Sequence, residues 1–168
     1  MENTFGRNII PQNEEERLEN LQKYKILYTK SEAVFDQLAA VAATMLNVPL
    51  AMINFVDKDS VWTKSNQEGE TGYELERGTS LCSLAILKDQ ITVFEDTLLE
   101  PCLMTNPMVA GEFGLRFYAA VPLTTKDGFN IGVVCILDKT TRAFTAEDQE
   151  KLEWIARMIE QEIEKRVA

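Results

Sequence analysis

Histidine is absent from the chain of 168 residues. That removes every Ser-His and Cys-His nucleophile pair, every His-ligated metal site, the usual neutral-pH general base and any phosphoacceptor histidine within this segment. Cysteine is scarce. Cys82, Cys102 and Cys135 are odd in number, scattered and never at CxxC spacing, which excludes a disulfide framework. No apolar run reaches membrane-spanning length, and the opening MENTFGRNIIPQNEEE lacks the features of a secretory signal, so a cytoplasmic location is expected. Positive charge is in deficit. Seventeen Lys and Arg face 27 Asp and Glu, a net charge of −10. No basic stripe is available for nucleic-acid phosphates or anionic membranes, so neither partner is expected. No internal repeat or low-complexity stretch is present.

What the chain does contain is 45% hydrophobic residues, enough for one globular core. It is organised around Leu115–Asp138, where two apolar runs, Arg116–Leu123 and Phe129–Leu137, flank Lys126-Asp127-Gly128. Asp-Gly between apolar runs predicts a hairpin, because Gly128 takes positive φ without steric penalty. Alternation places Phe129, Ile131, Val133, Cys135 and Leu137 on one side of the second strand, with Gly132, Val134 and Ile136 on the other. Neither side is polar, so both faces should be covered and the hairpin should lie mid-sheet. Gly132 and Ala120 leave room for a close approach to the backbone, or Gly132 marks a twist or bulge.

Residues 1–11 read as a flexible arm, ahead of one domain over 12–168. A helix is expected over 12–30, with Asn13 as cap, Glu14–Glu16 at its positive end and Leu18, Leu21, Tyr24 and Tyr28 as its apolar face. A second helix follows Ser31, carries Val34, Phe35, Leu38, Val41, Ala42, Met45 and Leu46 at helical spacing, and stops at Pro49. Leu50–Val56 and Val61–Ser65 read as strands about the turn Asp57–Ser60. A twelve-residue calcium loop from Asp57 fails, because its sixth place, which needs glycine, holds Trp62. Residues 67–78 form an acidic loop with Glu68, Glu70, Glu74 and Glu76 against Arg77. It is either a solvated surface or a lid that repels anions. Ser80 precedes a short helix, and Ile91–Asp96 reads as a strand with Ile91, Val93 and Phe94 buried. Thr97–Gly114, with prolines and glycines among large apolar residues, reads as broken helical turns that roof something. Thr145 and Asp148 suit a capping box for a last helix over 145–166. Leu152, Ile155, Ala156, Ile159 and Ile163 form its main stripe, while Trp154 and Met158 make a second apolar face suited to a partner helix. The order of elements describes an α+β domain with an antiparallel sheet.

In this order PLAMINFV (49–56), WTKS (62–65), SLC (80–82), FED (94–96), NP (106–107), GLRFYA (114–119), PL (122–123) and GVVCILD (132–138) resemble a GAF domain. The likeness is to the bacterial signalling type found upstream of histidine kinases and diguanylate cyclases. It implies a five- or six-stranded antiparallel sheet with the terminal helices on one face, often as a dimer bundle. Short helices and loops over a small-molecule pocket are implied for the other face. Carried over residue by residue, the pocket candidates are Trp62, Cys82, Asp96, Asn106, Pro107, Arg116, Phe117 and Tyr118. Trp62 would supply a flat wall, Arg116 a fork for a carboxylate or phosphate, and Asp96 a partner for an amine or for Arg116. Trp154 and Met158 are candidates for a homodimer interface. Each pocket candidate also has a structural reading, as core filler or as an ion pair pinning the loop.

The resemblance has departures. The Asn-Lys-Phe-Asp-Glu set of cyclic-nucleotide GAF domains is missing. Cys82 is followed by Ser83 rather than the histidine of bilin-binding relatives, and no histidine exists to ligate haem. No cofactor is expected. The implied function is a non-catalytic sensor whose pocket occupancy alters helix packing in a dimer. The alternatives are a free methionine-(R)-sulfoxide reductase-like thiol enzyme using Cys82, a redox sensor through Cys82 or Cys102, and a ligand-free dimerisation scaffold.

Overall fold

The structure, a computed structural model, describes residues 2–168. Six strands form one antiparallel sheet: β1 Leu50–Val56, β2 Ser60–Asn66, β3 Glu74–Glu76, β4 Thr92–Phe94, β5 Phe117–Thr124 and β6 Asn130–Asp138. Their spatial order is β3-β2-β1-β6-β5-β4. The β5–β6 hairpin lies inside the sheet, as its two apolar faces require, and Gly128 takes φ 91° in its turn. β3 falls within the acidic loop. Its residues are exposed on both faces, so it carries no alternation to read, and it pairs with β2 through the backbone.

Five helices complete the fold: α1 Glu14–Lys23, α2 Ala33–Leu46, α3 Cys82–Ala85, α4 Pro107–Ala110 and α5 Ala146–Lys165. Only the first part of the expected 12–30 helix forms. Lys25 and Tyr28 adopt positive φ, which a helix cannot accommodate. α5 has the capping box, with Thr145 and Asp148 exchanging side-chain and backbone bonds. α1, α2 and α5 cover one sheet face, where Phe35, Leu46, Leu152 and Ile159 pack on Ile53, Phe55 and Ile136. The opposite face holds Leu81, Leu84, Leu103 and Val109 against Tyr118, Val133 and Cys135.

Residues 2–11 are non-helical, but they are not a loose arm. Phe5 and Ile9 are buried in this second layer, and the Thr4 amide donates to Gly78 O at 2.9 Å. Two isolated apolar residues in a polar stretch leave no periodicity that would reveal such docking.

Alternation breaks at two bulges. In β6, Gly132 pairs with Leu123 but Asn130 pairs with Thr124, which leaves Ile131 as the extra residue. Ile131 and Phe129 therefore pack on the helical side with Val134 and Ile136 rather than with Val133 and Cys135. In β2, Ser65 pairs with Ile53 and Thr63 with Asn54, so Lys64 is extra. Its buried ammonium points to the helices, bonding Thr29 Oγ1 at 2.8 Å, Lys30 O at 2.6 Å and Glu32 at 2.6 Å. Glu32 also binds Arg166 at the end of α5.

Candidate functional site

A cavity of about 450 Å³ lies on the sheet face away from the long helices. Its floor comes from alternate residues of the central strands: Met52 and Asn54 of β1, Thr63 of β2, Tyr118 of β5 and Cys135 of β6. β1 and β6 are paired here, with Met52 opposite Cys135. Leu81 and Cys82, at the start of α3, close one side. Met108 of α4 and Phe113 supply the expected roof segment, while the acidic loop brings Glu68, Glu70, Tyr73 and Glu74 to the rim. The cavity is thus walled by two loops.

Of the eight candidates, Cys82 and Tyr118 line this cavity. Tyr118 OH donates to Cys82 Sγ at 3.2 Å, and Asn54 Nδ2 stands 3.4 Å from the same sulfur and 3.9 Å from Cys135 Sγ. Bonding from the Cys135 thiol holds the Cys82 thiol below its ordinary value against the opposing effect of burial, with Tyr118 and Asn54 adding to it. The Cys135 thiol moves up correspondingly. Cys135, placed by alternation on an apolar side of its strand, is therefore the thiol beside Cys82. Cys102 is half-buried and outside the cavity lining.

The other six lie elsewhere. Trp62 is opposite Phe55 and shares its side, so the indole packs in the helical core and against Tyr28, with ring centroids 5.8 Å apart. Phe117 also faces the helices. Strand alternation forbids Phe117 and Tyr118 from entering one pocket together. Asp96 caps the turn Thr97–Leu99 by accepting from Leu98 N at 3.0 Å. Asn106 is fully buried. Its Oδ1 caps α4 through Met108 N at 3.0 Å, and its Nδ2 reaches Thr4 Oγ1 at 3.0 Å and Thr79 O at 2.8 Å. Pro107 opens α4. Arg116 donates to Val109 O at 3.0 Å and Leu115 O at 2.9 Å, which commits its fork to shaping the roof. No carboxylate pairs with it among the described residues, so Asp96 and Arg116 form no ion pair. Asn106, Pro107 and Arg116 hold the roof from outside the cavity.

Asn54, Met52 and Cys135 are lining residues that sequence reasoning missed. The one available signal for Asn54 was a polar residue in an otherwise apolar strand. Among the described residues, no group of three or more Cys, Asp or Glu could hold a metal ion, and no helix is long and apolar enough to cross a membrane.

A sequence profile of the GAF domain matches residues 31–163. A cyclic di-GMP phosphodiesterase of Pseudomonas aeruginosa is 32% identical over 150 residues, covering 89% of this chain and 25% of that protein. The chain therefore spans about a quarter of that relative's length. Among solved structures, the GAF domain of an Acinetobacter phosphoenolpyruvate-protein phosphotransferase superposes with TM-score 0.63 at 14% identity, covering 89% of this chain and 94% of that one. Free methionine-R-sulfoxide reductase from Neisseria meningitidis, solved with its substrate, gives TM-score 0.63 at 20% identity, with 88% of each chain covered. At such identities the structural likeness establishes the fold alone.

Proposed function

The chain belongs to the GAF domain family, and from that premise we propose that it is a non-catalytic sensory module that binds a small molecule and passes its occupancy to the terminal helices. The observation that carries this reading is the cavity, whose size and mainly apolar lining with a few convergent polar groups suit a small organic ligand. A physical route to the helices supports the second half. Thr63 and Asn66 line the cavity on either side of the β2 bulge, and Lys64 at that bulge binds Glu32, which in turn holds Arg166 of the last helical turn. A ligand that prefers one position of β2 would then bias the end of α5, as linkage requires. Trp154, 43% exposed on α5, and Met158 beside it are the surface through which a second copy would read that bias.

The test compares hydrogen exchange of residues 159–168 in ligand-retaining and ligand-stripped protein, together with sedimentation of the dimer. Exchange should differ between the two states. The difference should vanish in Glu32→Gln while ligand retention persists, and Trp154→Ser should sediment as a monomer. Identical exchange in both states of the unmodified protein would rule the coupling out.

Cys82 favours a second reading, a thiol enzyme acting on a sulfoxide, because it lines one side of the cavity and its thiol is held below the ordinary value by its neighbours. A thioredoxin-coupled assay with methionine sulfoxide decides it. Turnover lost in Cys82→Ser supports the enzyme, and no turnover above the buffer blank removes it.

A further inference from the structure

The charge around the cavity is of one sign. Glu68, Glu70 and Glu74 stand among its lining residues, and no lysine or arginine does. Glu70 and Glu74 accept side-chain bonds from neutral donors, and Glu68 lies beside Glu70. Glu70 accepts from Asn66 Nδ2 at 3.0 Å and Tyr73 OH at 2.9 Å, while Glu74 accepts from Tyr28 OH at 3.1 Å and Ser60 Oγ at 2.9 Å. None of the three joins an ion pair among the described residues. The bonds from Asn66 and Tyr73 hold the Glu70 carboxyl below the ordinary glutamate value, so it is charged at neutral pH. Arg116, expected to offer its fork to a ligand carboxylate or phosphate, is engaged by two backbone carbonyls outside the cavity. An anion entering this mouth meets repulsion and finds no compensating cation among the lining residues; Lys139, outside the lining, stands over the Phe113 ring 4.8 Å from its centroid.

An independent observation comes from the floor. Asn54 is 95% buried by its 5% exposure and lines the cavity, yet its Oδ1 has no hydrogen-bond partner. A buried amide oxygen left unpaired is unfavourable, and it is met by a ligand that brings an N–H or O–H donor. Between floor and mouth the walls are apolar and aromatic. Met52 and Met108 adapt to shape, while Tyr118 and Phe113 offer ring faces, and Tyr73 stands at the rim where a cation could lie over it.

We propose that the cavity selects an organic cation: a flat apolar body with a hydrogen-bond donor at its inner end for Asn54 Oδ1, and a protonated amine at its outer end facing Glu68, Glu70 and Glu74. This rests on the ligand-binding reading above and narrows it to a chemical class. Carboxylates, phosphates and nucleotides are disfavoured by the same charges. Simple alkylammonium ions, which lack the inner donor, satisfy only one end.

Four probes of nearly one shape separate the elements of this proposal by calorimetric titration. Tryptamine carries the donor and the cation, and indole-3-ethanol the donor alone. Indole-3-propionate exchanges the cation for an anion, and 1-methyltryptamine keeps the cation but blocks the donor. Tryptamine should bind about tenfold or more tightly than indole-3-ethanol, which should in turn exceed indole-3-propionate, as expected for opposed charges near a protein surface. Methylation at the indole nitrogen should weaken binding by about tenfold. In the double variant Glu68→Gln/Glu70→Gln the tryptamine preference over the alcohol should fall towards one, while the effect of N-methylation persists. Raising the salt concentration should shrink the charge preference alone.

The proposal is overturned if the propionate binds as tightly as the amine, if the preference survives in the double variant, or if none of the probes binds at millimolar concentration. Whether the cavity holds any ligand is read separately, from a small mass retained by the purified protein. A retained anion or uncharged molecule would therefore sink the cation class and leave the sensory reading in place.

Discussion

Glu14→Gln is expected to destabilise the fold by about 3–5 kcal/mol at neutral pH, because it removes the counter-charge from two buried guanidinium groups. Arg17 is 1% exposed and Arg77 is fully buried. Arg17 Nε bonds Glu14 Oε1 at 2.8 Å, and both terminal nitrogens of Arg77 reach the same carboxylate. The remaining guanidinium bonds go to backbone carbonyls, Val56 O for Arg17 and Asp57 O and Lys58 O for Arg77. This cluster ties α1 to the β1–β2 turn and to the segment that leads into α3. With glutamine in place, both positive charges would stay desolvated and face each other.

The sign of the pH dependence follows. Burial pushes the Glu14 carboxyl up, but bonds from Arg77 and Arg17 outweigh it and hold the carboxyl below the ordinary glutamate value. A depressed folded-state pKa contributes stability that is complete above the unfolded pKa and is lost as pH falls through the folded one. The unmodified protein should therefore lose stability below about pH 4.5, and the gap between it and Glu14→Gln should narrow there. Urea midpoints at pH 7 and in that acid range measure both. Equal midpoints at pH 7 would show that the cluster contributes nothing.

Gly132→Ala should be nearly as damaging, by about 3 kcal/mol or more through overpacking, and should also abolish ligand retention. Gly132 pairs with Phe55 on one side and Leu123 on the other, in the middle of the sheet. A Cβ there would sit 2.3 Å from Asn54 O and 2.9 Å from Phe55 Cδ1. The first contact is with backbone, so relief requires β1 to move away from β6, and that movement displaces Asn54 and Met52 at the cavity floor. Gly128→Ala is the control. It meets open space but keeps φ 91°, so its effect should be about 1 kcal/mol. Thermal unfolding and retained ligand measured on the two variants separate the close approach from backbone strain. A stable Gly132→Ala protein that keeps its ligand would show that the strands tolerate the shift.

The same two sites illustrate what could be read in advance. Gly132 stood out because a glycine in a run of large apolar residues implies either a close approach or a bulge, and it has both, with Asn54 O against it and Ile131 bulged beside it. The mid-sheet hairpin, the Thr145 cap and the roofing role of residues 97–114 followed from alternation, capping chemistry and loop composition. Which side of the sheet each side chain takes did not. Trp62 and Phe117 sit on the helical face because of strand register, and register depends on pairing partners that no local pattern specifies. The bulges at Ile131 and Lys64 reverse the alternation without any turn residue to mark them. Nothing in the sequence marked Arg17, and Arg77 read as part of the acidic loop. Their burial arises from contacts between segments more than 60 residues apart, as in Glu14 with Arg77. Cys135 became part of the site for the same reason, through its approach to Cys82 and Asn54.

The central claim is that the space between the middle strands and the two loops is an occupied binding site, and native mass spectrometry of the protein purified gently from cells tests it most directly. The account predicts a second species heavier than the bare chain by one small organic molecule, lost on mild activation and absent from Gly132→Ala. A single species at the bare mass under every purification condition, with the protein folded, would contradict it.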